Sequence, residues 1–202
     1  MDKNVTVLLG VLAVMLIIAI GAGLAGVGIY NSMVGKDVDV ENKWAKVQSA
    51  YQRRADLIPN LVETVRGARD FEAETQTKIA ELRSQAGSAQ QQVASAKSTE
   101  DLQSANAEMS SVLSRLLVIV EAYPDLKANQ NFLSLQDELA GTENRIKFER
   151  DNYNDAVQSY KTAVRTFPGS VIAGMTGFSA DKWSMFSAEQ GAEKPPEVDF
   201  KK

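Results

Sequence analysis

Tyr51-Gln-Arg-Arg-Ala-Asp-Leu-Ile-Pro-Asn-Leu-Val62 carries a helical apolar pattern straight through two arginines and a proline. Upstream, Val40, Trp44, Val47 and Tyr51 recur at steps of four and three; downstream, Ile58, Leu61 and Val65 resume the same phase. The step between them lands on Arg54. A charge on an apolar seam is costly unless it is partnered, and a proline inside a helix removes a backbone hydrogen bond. The seam therefore predicts a helix packed against others, with Arg54 paired rather than solvated.

The partners follow from the helices expected around it. The first is expected from about Val38 to Ala86, with a weaker later seam (Ala68, Thr75, Ile79, Leu82) and a turn near Gly87. The stretch 86–100, AGSAQQQVASAKSTE, is poor in bulky residues and reads either as that turn or as a thinly packed helical tip. A middle helix runs to about Ala122 on Leu102, Met109, Leu113, Leu116, Leu117 and Val120. Ser98-Thr99-Glu100-Asp101 offers a cap for its start, with an earlier start near Ala89 as the alternative.

A third helix opens at Asn129 or Asn131. Its stripe is Phe132, Leu135, Leu139, Thr142, Ile146, Glu149, Tyr153, Val157, Tyr160, Val164 and Phe167, a coiled-coil-like seam of about five heptads. Pro168-Gly169 ends it. Long helices with short turns predict an antiparallel bundle. In that register Arg53 and Arg54 meet Glu121, Asp125 and the closing carbonyls of the middle helix beside the Tyr123-Pro124 turn. Pro59 would kink the first helix around it. The competing reading lets both arginines snorkel to water and starts a new helix at Pro59.

Ahead of the bundle, Val5–Ile29 carries no charge. As a helix it measures roughly 37 Å, enough to cross a hydrocarbon core of about 30 Å. A permanent anchor is favoured over a cleaved signal peptide, although Gly23-Leu-Ala25 before Gly26 has small residues at cleavage spacing; the run is long for a signal core. Gly21/Ala25 and Ala22/Gly26 have the small-xxx-small spacing of closely packed membrane helices, and Tyr30 falls where an interfacial aromatic is expected. Lys36, Lys43 and Lys46, diluted by Asp37, Asp39 and Glu41, lean towards a cytoplasmic bundle.

The chemistry is bounded by what is missing. There is no cysteine and no histidine, which excludes disulfides, thiol nucleophiles, histidine bases and the usual zinc sites. A net charge of -4, with basic residues interleaved among acidic ones, gives no footprint for nucleic acid. Asp37-x-Asp39-x-Glu41 starts like a calcium loop but has Asn42 and Gln48 where the loop needs glycine and glutamate. Glu143, Arg145, Glu149, Arg150 and Asp151 read as ion pairs on a solvated face. We therefore expect no enzyme, no catalytic residue, no metal and no cofactor.

Tyr30–Val34 (YNSMV), then 40–67, VENKWAKVQSAYQRRADLIPNLVETVRG, then 120–160, VEAYPDLKANQNFLSLQDELAGTENRIKFERDNYNDAVQSY, resemble the LemA family. The tail 186–200, FSAEQGAEKPPEVDF, is similar to that family's usual ending. The resemblance implies an all-α bacterial protein: an N-terminal transmembrane helix followed by an elongated antiparallel bundle of long helices. Members are associated with membrane organisation, including magnetosomes, and with membrane-protease or phosphatase-like genes. Relatives with a lipoprotein cysteine before the Tyr-Asn motif imply an extracytoplasmic bundle; Gly28-Ile29 stands there in this chain.

The organisation expected is an anchor over 1–30, a bundle over 31–168 and a tail over 169–202. The tail's Val171, Ile172, Met175, Phe178, Trp183 and Phe186 pack on the bundle, on a neighbouring subunit or on the membrane. The expected partners are the lipid bilayer and further copies of the chain, as a scaffold in the cell (inner) membrane. The alternative is a monomeric adaptor presenting its bundle to a membrane protease or envelope enzyme.

Overall fold

The computed structural model describes residues 3–67 and 71–187. Among these every regular element is helical: α1 (Lys3–Gly67), α2 (Ala73–Ser95), α3 (Thr99–Glu121), α4 (Pro124–Lys127), α5 (Gln130–Arg165) and α6 (Gly169–Thr176). The chain divides into two compact units. One comprises the chain up to Val47 with Asp151–Trp183; the other comprises Gln48–Arg150 with the described tail from Ser184.

The second unit is a four-helix arrangement. Arg83 pairs with Glu63, Gln90 donates to Asp56 and Gln48 donates to the Ala96 carbonyl, so α2 runs antiparallel to α1. Gln92 donates to Glu108 and Thr75 meets the Tyr123 hydroxyl, so α3 runs antiparallel to α2. Ser98 accepts from the Asp101 amide while Asp101 accepts from the Ser98 amide, a complete capping box that starts α3. Asn129 accepts from the amides of Asn131 and Phe132, which fixes it as the cap of α5. The core is Tyr51, Ile58, Leu61, Ile79, Leu102, Met109, Leu116, Phe132 and Ile146, all buried.

Two expectations and one competing reading are corrected here. The first helix does not reach Ala86: α1 ends at Gly67 and α2 returns beside it, so the bundle has one more helix than the seams implied. The turn near Gly87 is absent, because Gly87 lies inside α2 and the reversal comes at 96–98. Pro59 neither ends nor starts a helix, for α1 continues through it.

In the first unit α5 runs antiparallel to α1. Lys36 donates to the Ser159 hydroxyl at 2.6 Å and Trp44 packs on Tyr153, with ring centroids 5.5 Å apart. Gly169 makes the junction with α6 possible: a Cβ there would lie 2.1 Å from the Ala163 carbonyl oxygen and 2.8 Å from Met33 Cε. Nearer its start α1 leaves its large apolar side chains uncovered. Leu8, Leu12, Leu16, Ile17, Ile20, Leu24 and Val27 are all about half exposed or more. Among the described residues this is the single helix long and apolar enough to cross a membrane.

Candidate functional site

Arg54 is the polar centre of the second unit. Its phase on α1 carries the guanidinium inward, where the side chain is only 8% exposed. Nη1 donates to Asn106 Oδ1 at 2.6 Å and pairs with Glu143, while Nη2 donates to Ser110 Oγ at 3.2 Å. One side chain thus ties α1 to α3 and α5. Arg53, next to it and exposed, pairs with Glu138 at 2.6 Å.

The sequence reading had the arginine buried and paired, and it is. The partners differ. Glu121, Asp125 and the Tyr123-Pro124 turn are replaced by Asn106, Ser110 and Glu143, because α3 lies parallel to α1 and brings its first half level with Arg54. The turn sits instead at the start of α2, where Tyr123 stands edge-on to Phe71 with centroids 5.0 Å apart. Asn106 and Ser110, four apart on α3, could have been found only with the extra helix known.

The charged run on α5 is divided between environments. Arg145 is exposed, but the Glu149 carboxylate it grips at 2.6 Å is 3% exposed, so this is a seam residue with an outside partner rather than a solvated pair. Arg150 stacks its guanidinium on Phe186, 5.0 Å from the ring centroid, and donates to the Ser187 carbonyl. Tyr51 also stacks with Phe186, ring centroids 6.4 Å apart. Ala50, Arg53, Glu138, Gly141, Thr142 and Arg145 line a shallow cavity of about 300 Å³. Its charges are already paired, and it holds no nucleophile beyond the Thr142 hydroxyl, which donates to the Glu138 carbonyl.

Asp37, the first residue of the calcium-like rhythm, is engaged otherwise. Its two carboxylate oxygens accept from Lys182 Nζ at 2.6 Å and Trp183 Nε1 at 2.7 Å. Continuous helix through Asp37, Asp39 and Glu41 also replaces the loop that calcium coordination needs. Among the described residues no group of acidic side chains is placed to hold a metal ion. Nearby, Tyr160 is buried and donates to the Ser179 carbonyl; desolvation, reinforced by Asp37, raises its phenol above the ordinary 10.0. It stays neutral and structural.

The other displaced ionisations are local helix chemistry. The Asp101 carboxyl is lowered by bonds from Lys97 and Ser98 at the α3 cap. The exposed Glu74–Lys78 pair on α2 lowers the acid and raises the amine. None converges on a cleft. The charges fasten helices together, and among the described residues the large apolar side chains of α1 from Leu8 to Val27 stay exposed.

The model of the LemA family matches residues 43–200, a span that includes Arg54, its three partners and the Asn129 cap. Protein LemA of Metamycoplasma hominis is 27% identical over 147 residues, 73% of this chain and 64% of that protein. Magnetosome protein MamQ 2 of Paramagnetospirillum magneticum is 26% identical over 185 residues, 82% of this chain and 65% of its own. Magnetosome protein MamQ of Magnetospirillum gryphiswaldense is 24% identical over 168 residues, 74% and 62% of the two chains. The chain thus spans just under two thirds of the length of these relatives, and none of their names is that of an enzyme. With its single long apolar helix it is a membrane-associated helical protein, and it belongs to the LemA family.

Proposed function

We propose that this protein is a single-pass membrane scaffold that acts by associating with copies of itself. The observation that carries the reading is the face of α1 bearing Gly21, Ala25 and Gly28. A Cβ built on Gly21 or Gly28 meets nothing within 4 Å among the described residues. At Gly21 the face is therefore open to another helix at close range, and small residues are what membrane helices pack through, while Ala25 and Gly28 border an open cavity that Phe167 and Pro168 of the same chain also line. Gly26, which shared this role in the sequence reading, is turned away: Ile172 of the same chain lies 3.5 Å from a Cβ built there. Chains held in one plane gain effective concentration, so modest contacts suffice for a closed assembly. Relatives named for the magnetosome fit an organising role at a membrane.

The absence of native cysteine makes the test clean. Single cysteines placed from 17 to 28 and oxidised in native membranes should form disulfide dimers with helical period, strongest at 21, 25 and 28. Crosslinking without periodicity, or none, sinks the reading and favours the monomeric adaptor for a membrane protease or envelope enzyme. The bundle is assigned to the extracytoplasmic side of the cell membrane. Ser95→Cys, exposed at the end of α2, should then react with an impermeant thiol reagent in intact spheroplasts. Labelling only after lysis reverses that orientation.

A further inference from the structure

We infer that α6 and the residues flanking it form a re-entrant dip that enters the same bilayer leaflet as α1, giving each chain a second contact with lipid. The inference rests on α1 being the membrane span. Its starting point is where the chain goes after α5. Gly169 sits against Met33, and Ile172 then lies against Gly26, two turns further into the uncharged part of α1. The chain comes back out at once: Phe178 packs on Tyr30 at 5.7 Å between ring centroids, and Lys182 and Trp183 reach Asp37. Gly177, at φ 82°, makes the reversal, a backbone conformation that side chains disfavour. The tip between descent and return therefore falls beside the last apolar turns of the anchor.

Charge follows the same layering. From Thr166 to Ala180 there is no charged residue, and α1 has none from Asn4 to Gly35. The charges bounding both segments meet at one level, where Lys182 pairs with Asp37 and Arg165 approaches Asp181 at 3.7 Å. Below that collar the large exposed side chains of α6 and its flanks are apolar: Phe167 is 84% exposed, Met175 80% and Val171 52%, with only small hydroxyls such as Ser170 and Thr176 exposed beside them. An open cavity of about 370 Å³, lined mainly by Ala25, Gly28, Ile29, Phe167 and Pro168 with Ser32 and Thr166 at it too, has room for an acyl chain.

The backbone is also prepared for a medium without water. Irregular chain is tolerated at membrane depth only if its polar groups are satisfied internally. Here the Ser170 amide donates to the Thr166 carbonyl, the Val171 amide to Pro168 and the Gly177 amide to Ala173. Of the two hydroxyls on α6, Thr176 Oγ1 donates back to the Ile172 carbonyl at 2.7 Å, and Ser170 is exposed near the start of the helix. Apolar helices of this kind lie at the boundary of headgroups and acyl chains.

Spin labels on single cysteines test the depth directly. Met175→Cys and Phe167→Cys are compared with Leu16→Cys on the anchor and Val118→Cys on α3, in the full chain reconstituted into phosphatidylcholine–phosphatidylglycerol vesicles. Residues 175 and 167 should be relaxed by oxygen and shielded from a water-soluble nickel chelate, as residue 16 is, while residue 118 shows the reverse. Nickel access at 175 and 167 with protection at 16 overturns the dip and leaves the anchor standing. Nickel access at all four positions removes the anchor reading itself. Shielding of 175 and 167 from both reagents means that protein covers them, and the lipid contact is wrong.

Discussion

Helix α1 carries two kinds of apolar surface, and they differ in where charge is allowed. Over its first part the large side chains point outward on every face, from Leu8 to Val27, and no charge interrupts them. Over 48–67 the apolar residues Tyr51, Ile58, Leu61 and Val65 are hidden, and an arginine is hidden among them. Lipid offers no partner to a guanidinium, so the outward surface excludes it. A bundle can supply partners from three helices, and this one supplies Asn106, Ser110 and Glu143. Hydrophobicity shared by two halves of one helix thus implies different environments, and the placement of a single charge separates them.

The sharpest way to break that contrast is to remove the charge. Arg54→Ala leaves the buried Asn106 without its donor and releases Glu143, which is half exposed, and should cost about 2–3 kcal/mol in denaturant unfolding. Gln52→Ala, two residues away on α1 and bonded to Asp56, should cost less than about 0.5 kcal/mol. Equal small losses would make Arg54 a surface residue. Next in size is Gly169→Ala, which forces a methyl into the Ala163 carbonyl where α5 hands over to α6. A loss of about 1–3 kcal/mol is expected, as for other overpacked sites. No loss would mean that the junction is loose.

A smaller effect tests the capping of α3. Ser98→Ala should cost about 1 kcal/mol, read as a lower melting temperature. The other half of the box gives a pH signature. Because the folded Asp101 carboxyl is lowered from 3.8, its contribution is present above that pH and disappears as the pH falls through the lower folded value. Asp101→Ala should therefore narrow the stability gap between mutant and parent only in that acidic window. A gap constant across it would exclude the carboxylate.

Much of this was legible in sequence and some was not. The seams at 40–65 and 132–164 identified the buried faces of α1 and α5; the α5 stripe is buried from Phe132 to Val164 except for the half-buried Leu135, and Phe167, beyond the end of the helix, turns to the exterior. The Ser98 box and Asn129 cap were readable because capping is local chemistry. The reversal between Gly67 and Ala73 was missed, although Arg66 and Gly67 are helix-ending signals at the point where the seam weakens. That miss put Arg54 beside the wrong residues, since partners across a bundle depend on helix number and register. The clasp of Asp37 on Lys182 and Trp183 joins positions about 145 apart and has no local signature.

The central claim, that the anchor serves assembly, is tested most directly by the mass of the full-length protein extracted in mild detergent. Light scattering corrected for detergent should give a defined multiple of 22.0 kDa, falling when Gly21 and Gly28 are both changed to leucine. A single species of 22.0 kDa protein mass at micromolar concentration, unchanged by those substitutions, would contradict it.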